Sequence, residues 1–351
     1  MMLSFLMRSR PPGFWICLAL TASLCGCGGT TTRPGSRLEK IERRGTLTCG
    51  VEPAVAGFAQ VDAHGRYRGL DVDICRALSA AIFGTPDNVT YVPALTVTEF
   101  LRTDEIDVVS RRLTWELTRE GPSGVLFGPI TFYDGQGFLV SKKLGVTTPR
   151  QLAGVDLCVA GGTVFELNVG SYFGAHAFAL TKVLVESHKG LDDIANALTT
   201  GRCRAYTADV SELGAIRSAL SRPSDFDILA EEISKEPLAP VVRRDDTQWF
   251  TVLRWTIFAL INAEELGVTS ANVDDMRKSP DVNVQRLLGV LPGNGKALGL
   301  SESWAYNAIK TLGNYGEIFE RNIGRDSAIK LDRGLNRLST DGGLMYAPPL
   351  R

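Results

Sequence analysis

The chain has 351 residues, 44% of them hydrophobic and 22% charged. That composition supports one large or two medium packed domains and excludes disordered and fibrous polymers. With 38 basic and 39 acidic residues the formal charge is -1, and no basic block exists to neutralise a run of phosphates, so nucleic acid is not an expected partner.

The first residues read as a targeting segment rather than as fold. Arg8 and Arg10 precede an apolar stretch from Gly13 to Leu24, too short for a bilayer span and of the length of a secretory core. It ends in Leu24-Cys25-Gly26-Cys27, which resembles a bacterial lipoprotein cleavage box and implies that Cys27 is lipidated and becomes the new N-terminus. An ordinary signal peptide cut nearby is the alternative. Residues 1-26 are then a leader, and 27-37, rich in Gly and Thr, a flexible tether. No second apolar run reaches membrane length, so the expected location is the periplasm, with the membrane touched through a lipid anchor only.

Beyond the tether, short apolar strands alternate with amphipathic helices, the pattern of α/β domains with parallel sheets. Residues 46–51 read as a strand with Leu47, Cys49 and Val51 on one face. Residues 71–83 read as a helix whose Val72, Cys75, Leu78 and Ile82 share a buried side, with Gly84 placed to stop it. Further strands are expected over 106–109, 137–140, 155–159, 182–186, 205–207 and 228–233. The longest helical pattern, 246–266, puts Trp249, Leu253, Ile257 and Leu260 on one side, and Arg254 inside it argues against a membrane span.

Pro237 and Pro240 punctuate 234–243, and the strand near Phe138 lies where the chain could first leave one lobe. Two such crossings give lobe one as 38-138 and 238-351 and lobe two as 139-237. Residues from 270 onward read as a helical wrap ending in an irregular tail. Four cysteines follow the leader, Cys49, Cys75, Cys158 and Cys203; an even number in an exported chain implies two disulfides, with three connectivities possible. Cys49 with Cys75 and Cys158 with Cys203 is the expected pairing, because each brackets one local βα region and the others would tie the lobes together. Free buried thiols are the alternative.

An amino acid zwitterion needs a planar cation for its carboxylate and an anion for its ammonium, and Arg and Asp are the natural pair. One candidate is the run Ser110-Arg111-Arg112-Leu113-Thr114-Trp115-Glu116-Leu117-Thr118-Arg119, directly after the strand at 106–109. Ligands of open α/β sheets bind outside the carboxyl ends of the strands, so this loop is correctly positioned. A second is Asp209, just past the strand at 205–207. Gly161-Gly162-Thr163, after the strand at 155–159, offers backbone N–H groups and a hydroxyl to a carboxylate. Each charge taken alone reads more often as a solvated surface group than as a ligand contact.

The sequence resembles the bacterial amino acid-binding proteins of solute-binding family 3, and within them the general L-amino acid-binding type serving ABC importers. The resemblance is carried by Gly69-Leu70-Asp71-Val72-Asp73, Tyr133-Asp134-Gly135-Gln136-Gly137-Phe138, Ile233-Ser234-Lys235-Glu236-Pro237-Leu238, Leu260-Ile261-Asn262-Ala263-Glu264-Glu265-Leu266-Gly267, Gly313-Asn314-Tyr315-Gly316-Glu317 and Tyr346-Ala347-Pro348-Pro349. It implies a periplasmic-binding-protein-like α/β fold: two lobes, each with a central mostly parallel sheet flanked by helices, joined by a two-strand hinge. It implies Arg119 as the carboxylate grip, with Thr114, Gly162 and Thr163 assisting and Asp209 as the ammonium partner. Phe58 and Trp115 would flank the ligand side chain, although core packing explains Trp115 equally well. The implied partners are a free L-amino acid and the permease subunits of an ABC transporter, with the chain acting as a monomer. The four cysteines stand where this subfamily places them.

Several residues depart from the pattern. Arg112 stands where Asn is usual, Val164 where a second Thr is common and Arg204 where Asp is common, and 96–104 lacks the usual aromatic spacing. Arg112 is expected either to point to solvent or to bias the site toward acidic ligand side chains. Rival readings are an amino acid-sensing module, a dehydratase-like enzyme on the same fold and a paralogue that no longer binds. Against an enzyme, His64, His176 and His188 lie outside the matched stretches, and no Ser/His/Asp set, metal-ligand spacing or phosphate loop occurs. No catalysis, cofactor or metal is therefore expected.

Overall fold

Leu47–Val51 is an apolar run whose five residues are all buried, as a strand covered on both faces must be. In the computed structural model, which describes residues 35–93, 97–121, 124–185 and 191–351, it is the second strand of a five-stranded sheet. The leader, Cys27, most of the tether, the first part of 94–104 and the pair Glu186 and His188 lie outside the described residues. The order in this sheet is Val89–Pro93, Leu47–Val51, Val108–Val109, Val241–Arg243, Val125–Phe127. The first three strands are parallel and the last two antiparallel to their neighbours.

A second sheet repeats the arrangement with the order Thr181–Val185, Asp156–Ala160, Ala205–Asp209, Gln136–Ser141, Phe226–Ile228. Again two junctions are parallel and two antiparallel, so both sheets are mixed. Between them the chain crosses twice, through Phe132–Asp134 and Glu236–Leu238, which pair antiparallel with Tyr133 opposite Pro237. Each crossing runs straight into a sheet strand, which fixes the two halves at either end of one ribbon.

Helices cover the first sheet on its sequence-distant side. Leu70–Phe83 ends at Gly84, whose φ of 75° is the left-handed cap expected of glycine. Its start is tighter: Gly69 has φ 133°, and a Cβ there would lie 2.1 Å from the Phe58 carbonyl oxygen, so no other residue fits. Leu70 and Asp71 donate their backbone N–H groups to the carbonyls of Gly57 and Phe58, which pins the Phe58 loop to the helix. Thr247–Glu265 starts with the Asp246 side chain accepting from the Trp249 N–H. Trp249, Leu253, Ile257 and Leu260 are buried together in the core, the face that the periodicity predicts.

Short helices from Val273 to Asn322 and an irregular tail then wrap the first half. The tail also clamps the crossing: Asn336 accepts from the Tyr133 N–H at 2.7 Å and donates to the Tyr133 carbonyl at 3.0 Å. Further on, Arg217 of the helix Val210–Ala219, in the second half, donates to the carbonyls of Ile329 and Lys330.

Both expected disulfides are present. Cys49–Cys75 joins a strand of the first sheet to the helix above it, with Cα atoms 6.3 Å apart. Cys158–Cys203 joins the strand Asp156–Ala160 to the loop that precedes Ala205–Asp209, with Cα atoms 5.6 Å apart. Among the described residues no helix is long and apolar enough to cross a membrane.

Candidate functional site

The loop 110–119 leaves the carboxyl end of Val108–Val109 and is held by neighbours that fix its course. Ser110 donates its hydroxyl to the buried Asp71 at 2.7 Å, and burial pushes the Asp71 carboxyl up to about 6. Thr114 forms a bridge with Leu238 of the crossing strand and donates its hydroxyl to Glu236 at 2.8 Å. Trp115 stacks on Phe127 with ring centroids 5.9 Å apart and donates its indole N–H to Glu120. Its ring therefore packs on the edge of its own sheet.

Arg119 is 40% exposed and ion-paired, its Nε lying 3.1 Å from Glu116, while its Nη1 donates to the Thr114 carbonyl at 3.0 Å. Arg112 behaves differently. It adopts a left-handed φ of 55°, and its guanidinium carbon lies 5.5 Å above the Phe58 ring. Phe58 is itself buried and set edge-on to Phe132 at 5.4 Å. The Arg112 side chain is 18% exposed, with one Nη 3.9 Å from Glu52, and its Nε is buried with no acceptor among the described residues. Glu52 lies closer to Arg111, at 3.1 Å. Of the two expectations for Arg112, the structure removes the solvent-pointing one.

The second half contributes the acid. Asp209 closes Ala205–Asp209 and caps the helix that follows, yet its side chain makes no capping bond and its Oδ1 is buried without a donor among the described residues. Burial first, then the charges of Asp134 and Glu236, push its carboxyl up to about 8, and the cation that opposes them is Arg112. Asp134, on the crossing strand, accepts from the backbone N–H groups of Gly135 and Ser211 and from the Ser211 hydroxyl. Glu212 is raised by burial and accepts from the Tyr206 hydroxyl. Arg112 lowers Asp71, Asp134, Asp209 and Glu212 alike, which locates it where the two halves and the crossing meet.

Gly162 has φ 73°, and its N–H donates to Glu166 at 3.0 Å. Thr163 begins the helix Val164–Ala175 and turns its hydroxyl back to the Ala160 carbonyl at 2.7 Å. Both stand at the carboxyl end of Asp156–Ala160, on the strand edge shared with Asp209. One departure falls away from the cleft: Arg204 precedes the far end of the Asp209 strand, lining a surface hollow with Lys143 and Arg222. Val164, the first residue of the helix after Thr163, is exposed.

Sequence reasoning had missed Glu116, although its place three residues before Arg119 in a short helix is an ion-pair spacing. It had also missed Glu52 and the orphaned Nε of Arg112, which no local pattern encodes. Among the described residues no cluster of His, Cys, Asp and Glu could hold a metal ion.

Comparison with known proteins agrees with this geometry. The family model of the bacterial extracellular solute-binding proteins, family 3, matches residues 47–272. The general L-amino acid-binding periplasmic protein AapJ of Rhizobium johnstonii is 45% identical over 92% of this chain and 95% of that one. The glutamate/glutamine/aspartate/asparagine-binding protein BztA of Rhodobacter capsulatus is 42% identical over 97% of this chain and 100% of that one. A solved ABC transporter periplasmic binding protein from Brucella ovis, with glutathione bound, superposes with a TM-score of 0.80 and 43% identity, covering 90% of this chain and 100% of that one. Two mixed sheets joined by a double crossing accord with these matches, and the chain belongs to the bacterial extracellular solute-binding proteins of family 3.

Proposed function

We propose that this protein captures an L-amino acid in the cleft between its two halves and delivers it to an ABC importer. The observation that carries the reading is Asp209: a carboxylate with a buried oxygen and no donor is costly unless a cation arrives to satisfy it. A ligand ammonium is such a cation. Its carboxylate would meet the arginines of the loop 110–119 on the other half, with Thr114, Gly162 and Thr163 lining the site and Phe58 bounding the side chain.

Lobe one would comprise 38-138 and 238-351 and lobe two 139-237, with the crossing ribbon as hinge. A ligand shifts an equilibrium only by its differential affinity. The open form offers either the arginines or Asp209, the closed form both, so ligand favours closure, and closure is what a permease would read. The export signal suits a periplasmic protein, tethered through a lipid on Cys27 and acting as a monomer. The relatives bind solutes for transport, in line with a protein that performs no catalysis.

A thermal-shift screen against the twenty amino acids, followed by titration calorimetry on those that stabilise, tests the reading. Stabilisation by at least one amino acid, lost in Asp209→Ala, supports it; no stabilisation by any of them refutes it. Turnover of a bound amino acid would instead favour an enzyme.

A further inference from the structure

Arg119 and Arg112, two arginines of the loop 110–119, differ in what already occupies them. Arg119 carries Glu116 at 3.1 Å and a backbone carbonyl at 3.0 Å. Arg112 lies over Phe58, the ring expected to bound the ligand side chain, with its Nε orphaned. The acids around Arg112 are mostly engaged: Glu52 lies nearer to Arg111, Asp71 accepts from Ser110, Asp134 from Ser211 and Gly135, and Glu212 from Tyr206. Asp209 is the exception, and the proposed function commits it to the ligand ammonium. Among the described residues Arg112 has no ion pair shorter than the 3.9 Å one with Glu52, so its fork holds no close carboxylate.

We propose that Arg112 is the specificity-determining residue of this cleft, binding a second carboxylate carried by the ligand's side chain and so selecting acidic amino acids or small peptides with a free side-chain carboxylate. The inference rests on the proposed function and deepens it. A guanidinium whose Nε has no acceptor among the described residues keeps N–H donors that match a carboxylate. Its place over an aromatic ring keeps the fork planar and aimed while part of its water is already removed. A neutral ligand side chain of the same shape leaves that cation buried without an acceptor, so discrimination comes as much from rejecting the amide as from gripping the acid.

Glutamate and glutamine, alike in shape and different in charge, are the discriminating probes. Titration calorimetry on the full chain is expected to show glutamate bound at least about tenfold more tightly than glutamine, the scale of one charge-assisted interaction. Arg112→Asn is expected to bring the two within about twofold, chiefly by weakening glutamate, with Arg112→Lys in between because it keeps the charge and loses the fork. Asn tolerates the left-handed backbone at this position better than most residues, and thermal unfolding of both variants checks that they fold.

Glutamine bound as well as glutamate by the unaltered chain overturns the inference while leaving the proposed function standing. So does a ratio unchanged in Arg112→Asn. Equal tightening of both ligands in that variant also overturns it, since Arg112 would then be an internal counter-ion of Asp209. Absence of all amino acid binding removes the proposed function and this inference together.

Discussion

Glu116 and Arg119 face each other across 3.1 Å, one turn apart on the short helix Leu117–Glu120 and the residue that precedes it. The arginine that the resemblance assigns to the ligand carboxylate therefore already carries a carboxylate of its own chain. Both side chains are about two-fifths exposed, and such a pair contributes only about 0–1 kcal/mol, so a ligand can displace it. Glu116→Gln should tighten amino acid binding by up to about fivefold, the equivalent of that energy. Calorimetry with unchanged affinity would show that Glu116 does not compete.

The Asp209 carboxyl gives a pH signature with a definite sign. Its folded value, about 8, lies above the ordinary aspartate value near 4, so between those limits the folded state binds more protons than the unfolded one. Stability contributed by the protonated form is complete at low pH and declines as pH rises through this window, levelling above about 8. Ligand binding runs the other way, because the ammonium needs the ionised acid. Affinity should therefore rise from pH 6 to pH 8, and Asp209→Asn should weaken binding, flatten the pH profile and raise the unfolding temperature at pH 8.

The buried Asn336 locks the crossing strand by two hydrogen bonds to the Tyr133 backbone. Asn336→Ala removes both and leaves a Tyr133 N–H to find another partner, at about 1 kcal/mol for each bond. Denaturant unfolding should show a loss of about 2 kcal/mol, whereas an unchanged midpoint would mean that the tail does not restrain the hinge.

Cys158 and Cys203 close a loop spanning 45 residues. Chain-entropy reasoning assigns about 4 kcal/mol to a cross-link of that length. The double variant Cys158→Ser/Cys203→Ser should unfold at correspondingly lower urea, and the unaltered protein should lose more than that increment in reductant, which also opens Cys49–Cys75. Equal urea midpoints with and without reductant would contradict the pairing.

Much of the architecture was legible because it is local. The strands near 46–51, 155–159 and 205–207 and the helices near 71–83 and 246–266 are written in hydrophobic periods that a single segment carries. Strands that exist through distant pairing were not. Val241–Arg243 inserts between Val108–Val109, which lies within the strand expected over 106–109, and Val125–Phe127; at three residues each, Val241–Arg243 and Val125–Phe127 are too short to show a period. The last strand of the second sheet runs Phe226–Ile228 rather than over 228–233, since its register is set by Leu139 and Ser141 opposite.

The site divides in the same way. Sequence by itself determined the strand–loop positions of the candidate Arg and Asp, the bracketing of the cysteines and the family. Only the tertiary structure decided which charges are already engaged. Glu116 takes Arg119, Glu236 takes the Thr114 hydroxyl, Glu166 takes the Gly162 N–H, and Arg112 turns over Phe58 to face Asp209's surroundings. The reason is physical: a residue's chemical type is local, whereas the energy of a charge depends on burial and on partners that can lie more than a hundred residues away. Those are fixed only when the two halves close on one another.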